Sequence, residues 1–146
     1  MPDNAAIYIS DPSLLGAKFL KEFKEIKTYQ GVQKGEQATG LKVDLGISQI
    51  LMNFMPAEQI QTHLNGLEGF IRKVGCANND KLLYTLSRVR YVRFVIGCVI
   101  NPGFDKDGKT LQFLGNFACG LNGLLFVQNS VLDYDGEALA GALRGN

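Results

Sequence analysis

The stretch between Tyr91 and Ile100 restricts the fold more than any other part of the chain, because Val92, Phe94, Val95, Ile96, Cys98, Val99 and Ile100 leave it no regular polar side. A strand with one face in water alternates apolar and polar residues. A run apolar on both sides therefore predicts a central strand, covered on both faces or by a partner. Asn101-Pro102-Gly103 ends it. Leu111, Leu114, Phe117, Ala118 and Leu121 then recur at helical spacing, Gly123 closes that helix, and Leu124 to Val127 gives a second strand. This order is a strand, helix, strand crossover, a unit that serves many unrelated functions.

Upstream, Ala5 to Ile9 is a short strand, and Asp11-Pro12 pairs an N-cap with a residue suited to the first helical position. A helix is expected from Pro12, with Leu15, Phe19, Phe23 and Ile26 on its apolar face and lysines and glutamates opposite. The five lysines from Lys18 to Lys34 are interrupted by Glu22 and Glu25, which favours a solvated face over a phosphate-binding strip. Gly31 to Gly40 is polar and reads as an exposed, mobile loop or an irregular edge hairpin. Leu41 to Met55 reads as one long strand bent near Gly46, or as two strands with a bulge.

Pro56 opens a helix with a stripe of Ile60, Leu64, Leu67, Ile71 and Val74, stopped by Gly75. A shorter helix follows, capped by Asn78 or Asn79, with Leu82, Leu86 and Val89 on one face. Ser130 to Tyr134 is extended, Asp135-Gly136 is a tight turn, and Ala138 to Leu143 is an apolar tail. These elements predict a single domain over residues 1–146. Its expected class is α+β, a two-layer sandwich in which about four helices, beginning near Pro12, Pro56, Asn79 and Thr110, cover a mixed or antiparallel sheet. A doubly wound parallel sheet is the rival, weakened because Leu41 to Met55 contains no helix.

With 46% hydrophobic residues, 146 residues can bury an ordinary core without a metal or disulfide. Fifteen basic against fourteen acidic residues give a formal charge of +1, so no global field favours nucleic acid, an acidic membrane or an anionic substrate. Cys76, Cys98 and Cys119 are odd in number and widely spaced, which suits free thiols and a cytoplasmic setting. No run approaches the roughly 20 apolar residues that span a bilayer, and no Sec signal is read.

Candidate chemistry begins with His63, the only histidine, which could act as a general base with Cys76 or with a carboxylate such as Glu58 or Glu68. Nothing around Cys76 resembles a nucleophile motif, and a boundary histidine beside an apolar stripe is the favoured reading. Cys98 and Cys119 are expected to be small, buried packing residues. At Gly97 a close backbone approach is expected, so that Gly97→Leu would overpack the layer. The two Asp-x-Asp-Gly segments, Asp105 to Gly108 and Asp133 to Gly136, lack the ligand spacing of a calcium loop and are read as turns. Gly115, Gly120 and Gly123 do not form a nucleotide cradle. Arg88, Arg90 and Arg93 around Tyr91 could contact nucleic acid, but ion pairing at a helix-to-strand junction is favoured.

Asn53-Phe54-Met55-Pro56, His63-Leu64-Asn65-Gly66-Leu67 with Gly69-Phe70, Val95 to Ile100, Asn122 to Val127 and Leu132 to Gly136 occur in an order that resembles the N-terminal part of an uncharacterised bacterial protein family of unknown function. The resemblance covers about Leu41 to Gly136. It brings no substrate, cofactor or catalytic residue, and it implies a bacterial cytoplasmic origin and a domain that precedes another module. The leading functional expectation is a non-enzymatic protein-interaction or regulatory module, an inhibitor of a partner protein being one form. Phe54, Met55, Arg88, Arg90 and Arg93 are its candidate contact residues, and the partner is a protein or a second copy of the chain. No cofactor, metal or membrane is expected, and nucleic acid is disfavoured. The alternative is a small hydrolase or transferase using His63 with Cys76 or a nearby carboxylate.

Overall fold

The long apolar run lies well inside a sheet. In the computed structural model, which describes residues 2–141, β5 (Phe94–Asn101) pairs antiparallel with β4 (Gln49–Phe54) on one side and with β1 (Asp3–Ile9) on the other. On β1's far side lies β6 (Leu124–Val127), so Ile7 is flanked by Ile96 and Leu125. The crossover expected between Val92 and Val127 is therefore real, but the first strand of the chain is inserted between its two strands. Beyond β4 come β3 (Gln37–Asp44) and β2 (Thr28–Lys34), and beyond β6 come β7 (Ser130–Leu132) and β8 (Ala138–Gly141). The eight strands of the described residues form one antiparallel sheet in the order β2-β3-β4-β5-β1-β6-β7-β8.

Helices pack on both faces of this α+β sandwich. Side chains alternate across a strand, so Ile7, Ile9, Ile96, Cys98 and Ile100 point one way, onto Phe113, Leu114 and Phe117 of α4 (Lys109–Gly120) and Leu20 of α1 (Ala17–Leu20). Tyr8, Val95, Leu124 and Val131 point the other way, onto Leu64, Leu67 and Ile71 of α2 (Ala57–Val74) and Leu86 and Val89 of α3 (Asn79–Arg90). Gly75, at φ 75°, ends α2 where its N–H reaches the Ile71 carbonyl, and Asn78 caps α3 by accepting from the Lys81 N–H at 2.9 Å. Gly123 closes the turn after α4 because a Cβ there would stand 2.8 Å from the Tyr8 carbonyl oxygen.

Several expectations change at this level. The helix expected from Pro12 is a 3-10 turn at Pro12–Leu14 followed by the single turn of α1, because Gly16 is extended at φ −171° and breaks the register between them. Its apolar stripe packs nevertheless, with Phe19 against Phe117 at 5.1 Å and Phe23 against Phe113 at 5.5 Å between ring centroids. Gly31 to Gly40 belongs to the edge hairpin β2–β3, turned at Gly35 and bulged at Val32/Gln33. Leu41 to Met55 is two paired strands that reverse around Gly46, at φ 84°. Cys119 is exposed, because its place on α4 faces away from the sheet, while Cys98 is buried as expected. The apolar tail forms β8 through Gly141, and the part of it beyond lies outside the described residues.

Candidate functional site

The sheet is not covered equally on its second face. α2 and α3 sit over β5 and β8, so Tyr8, Val95 and Leu124 are buried there. Across the registers, Val99 continues into Leu51 and Lys42, and Asn101 into Gln49, Asp44 and Thr28. No helix lies over this half among the described residues. Thr28, Lys42, Gln49, Asn53 and Asn101 are exposed and Leu51 and Val99 half-buried, and Thr28, Lys42, Gln49, Leu51 and Asn101 line a trough of about 460 Å³.

Where α2 borders this open half it leaves a second cavity, also of about 460 Å³, between the helix and the strands β1 and β6. Helical spacing places Thr62, His63, Gly66 and Phe70 along one wall, and alternation along β1 places Asn4, Ala6 and Tyr8 on the floor. Phe126, which pairs with Ala6 across the sheet, meets Phe70 edge to face at 5.2 Å and 75°. On the helix, Gly66 lies between His63 and Phe70. The cavity owes its width to the small residues Ala6 and Gly66.

The Tyr8 hydroxyl and His63 Nε2 are 2.8 Å apart, and the two rings stack with centroids separated by 5.6 Å and planes inclined by 25°. Tyr8 is 3% exposed, and burial holds its phenol above the ordinary tyrosine value, so it keeps its proton. That proton can be given to Nε2 when the imidazole carries its own on Nδ1; with the ring proton on Nε2, the phenol oxygen accepts instead. Either way the bond occupies Nε2 and leaves Nδ1 to another partner. The arrangement can orient a ring, exchange hydrogen bonds and stack.

The other residues proposed from the sequence have separate neighbours. The Cys76 thiol donates to Thr85 Oγ1 at 3.8 Å, beyond the end of α2, while His63 lies some eleven residues before that end, about 16 Å along the axis. Glu68 accepts from Arg90 Nε at 3.1 Å, and Glu58 is exposed in the first turn of α2. Phe54 packs on Phe94 with ring centroids 5.1 Å apart, on the α4 face, whereas Met55 packs on the α2 and α3 side. Arg93 Nη1 donates to the carbonyls of Arg90 and Val92.

Arg88 belongs to a further cluster. Its guanidinium is 3.6 Å from the Asp133 carboxylate, donates to the Asn122 carbonyl at 3.1 Å, and lies over the Tyr134 ring at 5.7 Å from the centroid. Asp133 is buried and also accepts from the Tyr84 hydroxyl at 2.6 Å and the Tyr134 N–H at 2.9 Å. Desolvation, reinforced by the Asp133 hydrogen bond, pushes the Tyr84 phenol up to about 12. This network ties α3 to the β7–β8 turn. In the corresponding acidic turn, Asp105 accepts from the N–H groups of Thr110 at 2.8 Å and Lys109 at 3.0 Å and so begins α4.

Tyr8 is the site residue that the sequence does not single out, whereas Asp133 is expected there only as a turn residue and also anchors Arg88 and Tyr84. Tyr8 stands among Ala5, Ile7 and Ile9 but on the opposite face, a signal present in the strand's alternation; its pairing with His63 spans 55 residues and depends on the tertiary register. No helix among the described residues is long and apolar enough to cross a membrane. Comparison with protein-family profiles, with curated proteins and with solved structures finds no match for this chain.

Proposed function

We propose that this chain is a non-enzymatic interaction module that binds a protein partner on the open half of its sheet. The observation that carries the reading is the uncovered face over β2, β3 and β4, which keeps Leu51 and Val99 half-exposed among Gln49, Asn53, Asn101 and Thr28. Amide side chains both donate and accept, and Lys42 and Asp44 lie on the same strand face with opposite charges. The partner that fits is a polar protein surface of little net charge, with an apolar side chain for Leu51 and Val99. A regulatory or inhibitory role follows from occupying that partner. The bacterial cytoplasmic setting is part of the same proposal, supported by the ordered segments between Leu41 and Gly136 and by the three unpaired cysteines.

The test is site-specific photo-crosslinking in cell extract, with the crosslinker at Gln49 or Asn101 on the open face and at Asn116 on the exposed side of α4. The expected result is one defined adduct from Gln49 and Asn101, absent from Asn116 and lost in Leu51→Arg. Equal labelling from both sides, or none from the open face, removes the proposal. An adduct between two copies of the chain, confirmed as a dimer by light scattering, replaces the foreign partner with self-association.

A further inference from the structure

The cavity beside α2 differs in kind from the open sheet. We infer that it is a binding site for an uncharged, flat aromatic small molecule carrying one hydrogen-bonding group, of the phenol or indole class. This inference rests on the cavity alone and is independent of the partner proposed for the sheet.

Volume is the first ground. About 460 Å³ falls within the ~300–1,000 Å³ of sites that hold small ligands. Charge is the second: no aspartate, glutamate, lysine or arginine lines the cavity, so a charged ligand would lose hydration without gaining a counterion. The lining supplies aromatic surface at both ends, Tyr8 stacked with His63 and Phe70 set edge to face against Phe126, and between them stand Ala6 and Gly66 with almost no bulk. A flat ring placed there exchanges water for ring contacts of the kind that already join these pairs. Its polar group has partners in reach of the same space: the Asn4 amide, the Thr62 hydroxyl and the nitrogen of His63 that Tyr8 leaves free.

Gly66 makes the inference testable without harming the fold. A Cβ built there meets no atom within 4 Å, and its φ is not positive, so packing does not demand glycine. Replacing a mid-helix glycine also favours the helix. Gly69, on the same helix, is equally unconfined but does not line the cavity, and serves as the control.

The experiment titrates the intact chain with the neutral fluorophore N-phenyl-1-naphthylamine. Saturable enhancement at one probe per chain is expected, with displacement by phenol or indole. Gly66→Leu should weaken probe binding at least tenfold at an unchanged or higher melting temperature, while Gly69→Leu binds as the parent does. Absence of saturable binding, equal binding by Gly66→Leu, failure of phenol and indole to displace the probe, or a stoichiometry of one probe per two chains with dimerisation each overturns the inference. Crosslinking from Gln49 should survive Gly66→Leu, so the site and the partner surface fail separately.

Discussion

The half of the sheet built from β1, β5 and β6 and the half built from β2, β3 and β4 share one continuous ladder but have opposite relations to water. In β5, Val95, Ile96, Cys98 and Ile100 are all buried, since helices lie on both faces. In β3, Leu41 and Val43 are buried while Lys42 is exposed and Asp44 half-exposed. The difference is a matter of where α2 and α3 stop, and it converts a structural sheet into a surface along β5 itself, between buried Val95 and half-buried Val99. The trough lies on the open side of that change, and the cavity lies on the other, over β1, whose Asn4 and Ala6 pair with Val99 and Gly97. Coverage thus divides residues that hold the fold from residues free to bind.

The sharpest test of the division is truncation in the doubly covered half. Phe117 is fully buried between α1's aromatic cluster and the sheet, so Phe117→Ala should cost about 3–5 kcal/mol in urea unfolding, against less than about 1 kcal/mol for Leu51→Ala on the open face. Comparable losses at the two positions would abolish the distinction. Next comes Asp133→Ala, which strands the partly buried Arg88 and the Tyr84 hydroxyl; about 2 kcal/mol is expected, because Arg88 retains some contact with water. A double-mutant cycle with Tyr84→Phe isolates the coupling.

Gly97 sharpens the comparison from the other side. A Cβ there meets only the Asn53 carbonyl oxygen, at 3.9 Å, so no backbone crowds it and the expected overpacking is replaced by ordinary contact on the half-open face. Gly97→Ala should therefore leave stability unchanged or raise it by up to about 1 kcal/mol, whereas a fall of that size would restore the crowded-strand reading. The mildest effect concerns acid. Hydrogen bonds from the Thr110 and then the Lys109 backbone lower the Asp105 carboxyl to about 2. Its stabilisation is fully present above the unfolded value of about 4 and is lost as pH falls through about 2. The melting-temperature gap between the parent and Asp105→Ala should accordingly narrow over that interval; a constant gap would show that the charge is immaterial.

Much of the fold is legible wherever local grammar and burial agree. The two-sided apolar run gives β5 its central place, Pro56 and Gly75 bracket α2, and Asn78 caps α3. Legibility fails where a local signal is outweighed or a distant one is needed. The stripe Leu15, Phe19, Phe23, Ile26 has helical spacing, yet Gly16 lets the chain extend and the aromatics reach α4 without a continuous helix. Cys119 resembles Cys98 in its small and apolar neighbours, and only the orientation of α4 tells them apart. The candidate site is half legible: His63 is conspicuous as a lone histidine, but Tyr8 becomes its partner only because β1 enters the sheet's middle and turns alternate side chains toward α2.

That insertion has a consequence for how the chain acquires its shape. β1 leaves a ribosome before the seven other described strands, yet its neighbours on either side arrive late: Ile9 must wait for Phe94, and Ala5 for Val127. Until then the β2–β3–β4 meander can zip locally while the strand that will join β5 to β6 has neither edge paired. Closing loops of that length before the rewarding contacts form makes assembly a late, cooperative event. The seam of the finished sheet is laid down first and sewn last.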